Sequence, residues 1–164
     1  MVRFLKHLFF GRWQIRRRFS KSDLSAITDQ IAATEKRHRG EIVFAVESSL
    51  SVHELVSGKT AREKAVETFA KLKVWDTEEN NGVLIYLLLA DRNIEILADR
   101  GVYKKAGAEI FERICRQIEA AYVQGDFLQG TIAGIDEIAK VLIQIYPLGQ
   151  QVDYNELPDQ PVIL

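Results

Sequence analysis

Asp76, Glu78, Glu79, Asn80 and Asn81 crowd one loop of the chain, and Asp99 adds a further carboxylate some twenty residues on. Carboxylates and amides at this density suit a hard cation, which takes six to eight oxygens. Asp76, Glu78, Asn81 and Asp99 are the metal ligands this pattern selects, and calcium is the ion they would take. Arg100 and Gly82 complete the set as ligand-binding residues, since a guanidinium beside a cation can clamp a phosphate. The competing reading is a solvated acidic loop with an Asn-Gly turn ahead of a strand.

Other motifs carry less chemistry. Ser57-Gly58-Lys59-Thr60 imitates the end of a phosphate-binding loop, but its first glycine would fall at His53. His53-Glu54 begins like a zinc-protease helix, yet Ser57 stands where the second histidine belongs. His7 and His38 have no ligand spacing. Cys115 is the single cysteine, which excludes an internal disulfide, and its helical surroundings make it a buried, inert thiol. No G-x-S-x-G is present, and no catalytic residue is assigned.

A second candidate surface is the N-terminus. Residues 1–21 hold seven Lys/Arg and no acid, mixed with Phe4, Phe9, Phe10, Trp13 and Phe19. The net charge of −1 therefore hides a basic arm on a body with 15 basic (22 less 7) and 23 acidic residues. Basic and bulky apolar residues together make an interfacial segment for anionic lipid. Arg3, Lys6, Arg12, Trp13, Arg16, Arg17 and Arg18 would meet the membrane or a membrane-protein partner. Packing on its own domain or on a partner chain is the alternative, and no nucleic acid is expected. The longest apolar run, Val83–Ala90, has eight residues against the ~20 a spanning helix needs.

The elements that position these residues follow from periodicity. Ser22 caps a helix ending near Gly40, and residues 40–49 alternate as a strand. Thr60 and Glu63 form a capping box for a helix with Ala65, Val66, Phe69 and Ala70 inward. Val83–Leu89 is apolar on both faces, as a central strand covered on both sides must be. Asp91-Arg92 marks a turn into a strand with Ile94, Ile96 and Ala98 on one face. A two-residue loop there sets Ala90 opposite Asn93 and Asp99 opposite Leu84, bringing Asp99-Arg100 near Asn80–Gly82. Helices over 105–123 and 127–145 follow, and 147–164 reads as a loosely ordered tail. The order α-β-α-β-β-α-α predicts an α/β fold, a three-layer α/β/α sandwich on a small mixed sheet with a central β-hairpin. Domain bounds are 1–21 for the arm, 22–146 for the domain and 147–164 for the tail.

The stretch FAKLKVWDTEENNGVLIYLLLADRNIEILADRGV resembles the TPM domain, of the thylakoid-lumen-protein, Psb32 and MOLO type. RHRGEIVFAVESS is similar to that domain's first strand and AYVQGDFLQGTIAGI to its late G-D segment, so the resemblance spans about residues 22–145. It implies an α/β/α sandwich and a short bacterial branch without the usual signal peptide and C-terminal membrane helix. It also implies calcium binding in some members and acid phosphatase activity in a plant chloroplast relative. The chain departs from the pattern where G-Y-G-L-E would stand: it has Asp99-Arg100-Gly101-Val102-Tyr103, and Asn80 replaces the usual Asp before Asn-Gly. Fewer carboxylates and an added arginine weaken a cation site.

Three functions follow as expectations. The first is a non-enzymatic accessory module, cytoplasmic and peripheral on the inner membrane, bound to anionic lipid or a membrane protein through its arm. The second is a divalent-metal-dependent phosphatase using Asp76 and Asp99. The third is an oligomeric structural domain that trades its arm between subunits.

Overall fold

In the computed structural model, which describes residues 2–149 and 154–164, every residue of the strand Gly82–Leu88 is buried. This central strand, β2, lies between β1 (Glu41–Glu47), which pairs with it in parallel, and β3 (Asn93–Ala98), which pairs antiparallel. A short β4 (Val162–Ile163) pairs in parallel with β1, giving the order β3-β2-β1-β4. Alternation sends Ile42, Phe44, Val83, Ile85, Ile94 and Ile96 into one core and Val43, Ala45, Leu84, Tyr86 and Leu97 into the other.

Helices cover both faces. The first core is closed by α2 (Arg12–Arg18), α3 (Lys21–Glu35), α7 (Ala108–Gln124) and α8 (Phe127–Ile145). The second is closed by α4 (Val52–Val56) and α5 (Ala61–Lys71), with Leu55, Phe69 and Leu157 packed against it. Two further helices, α1 (Val2–Phe9) and α6 (Arg100–Ala106), sit at opposite ends of the hairpin. The chain is thus an α/β/α sandwich on a mixed sheet.

Several elements differ in detail from the sequence reading. The cap of α3 is Ser20, not Ser22: Ser20 Oγ accepts from the Asp23 N–H and the Asp23 carboxylate accepts from Ser20 N–H. The basic arm is two helices broken at Gly11, and it sends Ile15 and Phe19 fully into the core, where Phe19 packs edge-on against Phe44 and Phe127. Burying a Phe or Ile side chain stabilises by ~1.5–3 kcal/mol, enough to fix α2 on the domain. The helix expected from residue 105 is split at Gly107, whose φ of 80° an L side chain resists, into α6 and α7. Val66 is half-exposed rather than inward. The end of the tail adds β4 to the sheet, with the Leu164 N–H donating to the Val46 carbonyl.

The hairpin connection also differs. Beyond Leu88 the chain keeps bonding to the end of β1 and the residue after it, through Leu89 N–H to Glu47 O and Ala90 N–H to Ser48 O. Pairing with β3 therefore starts at Leu88↔Asn93, four residues form the connection, and Asp99 N–H donates to Gly82 O at 2.8 Å instead of facing Leu84. The slip is two residues, so every side chain keeps its face.

Candidate functional site

The register places the end of β3 against the start of β2, and Asp99 and Asn81 close the gap. Asp99 is 8% exposed and caps α6, its Oδ1 accepting from Arg100 N–H at 2.7 Å. Asn81 is 1% exposed; its N–H donates to Thr77 Oγ1 at 3.1 Å and its Nδ2 donates to the Arg39 carbonyl. One oxygen on each side chain, Asp99 Oδ2 and Asn81 Oδ1, is buried without a hydrogen-bond partner. A buried acceptor left unpaired costs ~1–3 kcal/mol, more when charged, so such a pair calls for a ligand or another explanation.

Two glycines bring backbone close to this point. A Cβ on Gly82 would collide with the Val74 carbonyl. A Cβ on Gly101 would collide with the Tyr146 hydroxyl and the Asn80 carbonyl and crowd that of Glu79. Tyr146 donates to the Glu79 carbonyl at 3.3 Å, and burial and the nearby Asp99 charge push its hydroxyl pKa up. Oxygens therefore converge here from the loop, from both strand ends and from the C-terminus of α8.

The remaining predicted ligands do not join them. Asp76 and Glu78 are exposed, and the Glu78 N–H donates to the Glu156 carboxylate at 3.0 Å. Arg100 contributes its backbone while its residue is exposed. Among the described residues, no three His, Cys, Asp or Glu side chains are grouped to hold a metal. A guanidinium does reach the site, but it belongs to Arg39, which forms an ion pair with Glu79 and donates to the Pro147 carbonyl at 3.0 Å. Arg39 escaped the sequence reading because its approach depends on the parallel pairing of β1 with β2, Glu41 opposite Gly82. The basic run Arg37-His38-Arg39 just before a strand was the available signal. A hard cation would find Asp99 and Asn81 oxygens here, opposed by the Arg39 charge.

The hairpin-turn end is built the other way round. His7 is the buried side chain of α1 among those described. Its Nδ1 accepts from Leu50 N–H at 2.9 Å, and its Nε2 lies 3.0 Å from Asp91 Oδ1. Arg3 Nε donates to Asp91 Oδ2 at 3.0 Å and its guanidinium donates to the Lys59 carbonyl at 3.1 Å. Polar groups thus bind α1 to the domain, and its apolar side chains face outward: Leu5, Leu8 and Phe9 are 49%, 57% and 72% exposed, and Phe4 38%. Trp13 on α2 adds 56%. Lys6, Arg12, Arg16 and Arg17 are exposed beside them, while Arg18 lies over the Phe127 ring at 5.0 Å. Of the seven arm residues named from sequence, Arg3 and Arg18 are thus engaged by the domain itself.

One recess elsewhere has a structural explanation. A recess of about 430 Å³ beside β3 is lined by Arg62, Glu95, Tyr103, Cys115 and Arg116. Arg62 donates to the Ile96 carbonyl at 3.2 Å and Glu119 accepts from Ile94 N–H at 3.2 Å, so side chains blunt this sheet edge. Burial pushes the Cys115 thiol up to about 12, leaving it unreactive.

Comparisons with known proteins agree with this architecture. A family model described as the TPM domain matches residues 16–141. The NMR structure of the BA42 protein from the psychrophilic bacterium Bizionia argentinensis is similar at 27% identity and a TM-score of 0.77, covering 88% of this chain and 94% of that one. The N-terminal domain of a protein from P. gingivalis, also solved by NMR, shares the fold at 14% identity and a TM-score of 0.63, covering 81% and 83%. No curated protein matches the sequence.

Proposed function

The chain belongs to the TPM domain family, and we propose that within it this protein is a non-enzymatic accessory module held at an anionic membrane surface by its N-terminal helices. The observation that carries this reading is the inverted α1. Its polar residues Arg3 and His7 face the domain while Phe4, Leu5, Leu8 and Phe9 face out. Exposed apolar side chains flanked by Lys6, Arg12, Arg16 and Arg17 match the headgroup–acyl boundary of a bilayer in both shape and charge. A second copy of the chain matches less well, because pairing these helices would oppose like charges. Among the described residues no helix is long and apolar enough to cross a membrane, and this reading takes the contact as peripheral. The cytoplasmic face of the inner membrane, where anionic lipid meets basic segments, is the location this reading takes.

Co-sedimentation with phosphatidylglycerol vesicles tests it. Binding at 50 mM salt that is lost at 500 mM, and that is absent with phosphatidylcholine alone, is the expected result. Equal binding to both lipids, or none, removes the reading.

A second reading rests on the unpaired oxygens of Asn81 and Asp99. These two residues would hold a divalent cation such as calcium, with carbonyls or water filling the other positions. A metal-dependent phosphatase would then use the ion to polarise a phosphoryl oxygen. Among the described residues the hydroxyl side chains bonded within this cluster are Tyr146 and Thr77, and Thr77 is buried and accepts from Asn81 N–H, so the nucleophile would be water or a carboxylate. Calcium titration followed by amide NMR shifts at residues 76–82 and 99–103 decides this. Saturable shifts at millimolar calcium or below support the ion, and silence at those residues excludes it.

A further inference from the structure

The inverted helix and the unpaired oxygens lie at opposite ends of the same strands. Arg3 and His7 grip Asp91, in the connection that follows β2, and His7 also takes Leu50 N–H beyond the end of β1. Asn81 directly precedes β2 and Asp99 directly follows β3. Between them runs the full length of β2, seven residues or about 20 Å at ~3.3 Å per residue. The apolar face of α1 buries only ~5–10 Å into an interface.

Resting on the reading that α1 meets anionic lipid, we propose that the sheet is a spacer with a lipid end at the hairpin connection and a ligand end at Asn81 and Asp99. The ligand end then stands roughly a strand length above the headgroups. Whatever binds there is taken from the aqueous phase, as a soluble ion or the water-exposed part of a partner, and is not a lipid headgroup. The apolar surface favours this orientation. The lipid end exposes Phe4, Leu5, Leu8, Phe9 and Trp13, and α4 adds Val52 and Val56 just after β1. The ligand end exposes Trp75 in its loop, beside Lys71 and Lys73, and Leu148 and Tyr154 on the C-terminal segment next to it, fewer large apolar side chains than the lipid end. That loop is the rival contact, because it too combines an aromatic ring with lysines.

The two tryptophans of the chain report on the two ends separately. W75F leaves Trp13 as the single emitter, and W13F leaves Trp75. Each variant is bound to phosphatidylglycerol vesicles carrying brominated acyl chains, with bound fraction checked by sedimentation. We expect Trp13 emission to fall at least twofold against non-brominated vesicles and Trp75 emission to stay unchanged. Trp75 quenched as strongly as Trp13 overturns the spacer, while the membrane reading survives. Failure of the unaltered chain to sediment with the vesicles overturns the membrane reading itself.

Should W13F bind too weakly to read, a nitroxide attached at position 75 of a W75C/C115S chain gives the same answer with Trp13 retained. Relaxation by a water-soluble nickel complex, equal with and without vesicles, supports the spacer. Relaxation by dissolved oxygen that rises on binding refutes it.

Discussion

The two ends of the sheet solve opposite problems with the same residue types. At the hairpin connection the polar groups of α1 are paired with the domain: Asp91 takes both Arg3 and His7, and His7 takes the Leu50 N–H, while Asn93 Oδ1 is buried there without a partner. Apolar groups there are left uncovered. At the other end fewer large apolar groups are exposed and more polar atoms are left over, with Asn81 Oδ1, Asp99 Oδ2 and His38 Nε2 all buried and unpartnered. An end that leaves apolar surface exposed asks for an apolar or amphipathic partner. An end that leaves oxygens unpaired asks for a small polar ligand.

If that contrast is sound, the pH dependence of folding belongs to the β1-start end, where Glu35 and His38 lie. Glu35 accepts from Ile42 N–H at 2.8 Å, and burial pushes its carboxyl pKa up to about 9 from an ordinary 4.5. A folded value above the unfolded one means the stabilisation is complete below about 4.5 and is lost as pH rises toward about 9. Burial lowers His38 to about 4 from 6.5, so its share is complete above 6.5 and is lost as pH falls toward 4. Each unit of such a difference is worth ~1.4 kcal/mol, which makes Glu35 the largest single lever. Denaturant melts are expected to show stability falling from pH 6.5 to 9, flattened in E35Q, while between pH 5 and 6.5 the His38 share offsets the loss. An unaltered slope in E35Q would show that the burial of Glu35 does not control it.

Next in size is the lipid end. Replacing Lys6, Arg12, Arg16 and Arg17 by Gln removes ~1 kcal/mol each near an anionic surface, or ~4 kcal/mol in all, about a thousandfold in vesicle affinity. Thermal stability should stay within ~0.5 kcal/mol, since these side chains are exposed and make no ion pair among the described residues. A stability loss matching the binding loss would turn the arm into a packing element and erase the contrast between the ends.

What could be foreseen follows the same division. The hairpin and both cores were legible because alternation at Ile94, Ile96 and Ala98, and its absence at Val83–Leu88, records burial directly. The turn residues did not show that the connection takes in Leu89 and Ala90, because their bonds go to Glu47 and Ser48 at the end of β1, partners distant in sequence. That Asn81 and Asp99 lie near one another was legible because strand order brings their ends together. Asp76 and Glu78 were not separable from them, since nothing local says which carboxylates of an acidic loop turn outward. The face of α1 was left open for a sharper reason: a wheel shows apolar clustering without saying whether it meets lipid or core, and here the inward residue is His7, held by groups 43 and 84 positions away.

The close approach at the ligand end can be broken by one methyl group. Gly101→Ala puts a Cβ against the Tyr146 hydroxyl and the Asn80 carbonyl. Overpacking of this kind costs ~1–3 kcal/mol. We expect a lower melting temperature and amide shifts confined to residues 79–82, 99–103 and 146, with vesicle binding unchanged. Unchanged stability would mean that the backbone there has room to give.

The smallest effect separates a binding carboxylate from a capping one. Asp99 Oδ1 caps α6 through Arg100 N–H, and Oδ2 does nothing within the described chain. Asp99→Ala loses the cap, ~1 kcal/mol, with part of that offset because a buried unpaired oxygen also disappears. Asp99→Asn keeps a capping oxygen and the shape, so its stability should lie within ~0.5 kcal/mol of the parent. The charge is what the Asn variant lacks. If calcium shifts the amides of residues 76–82 in the parent and leaves them still in D99N at equal stability, Asp99 is there for the ion. If D99N responds like the parent, the helix cap accounts for Asp99, and Asn81 is the residue left to explain.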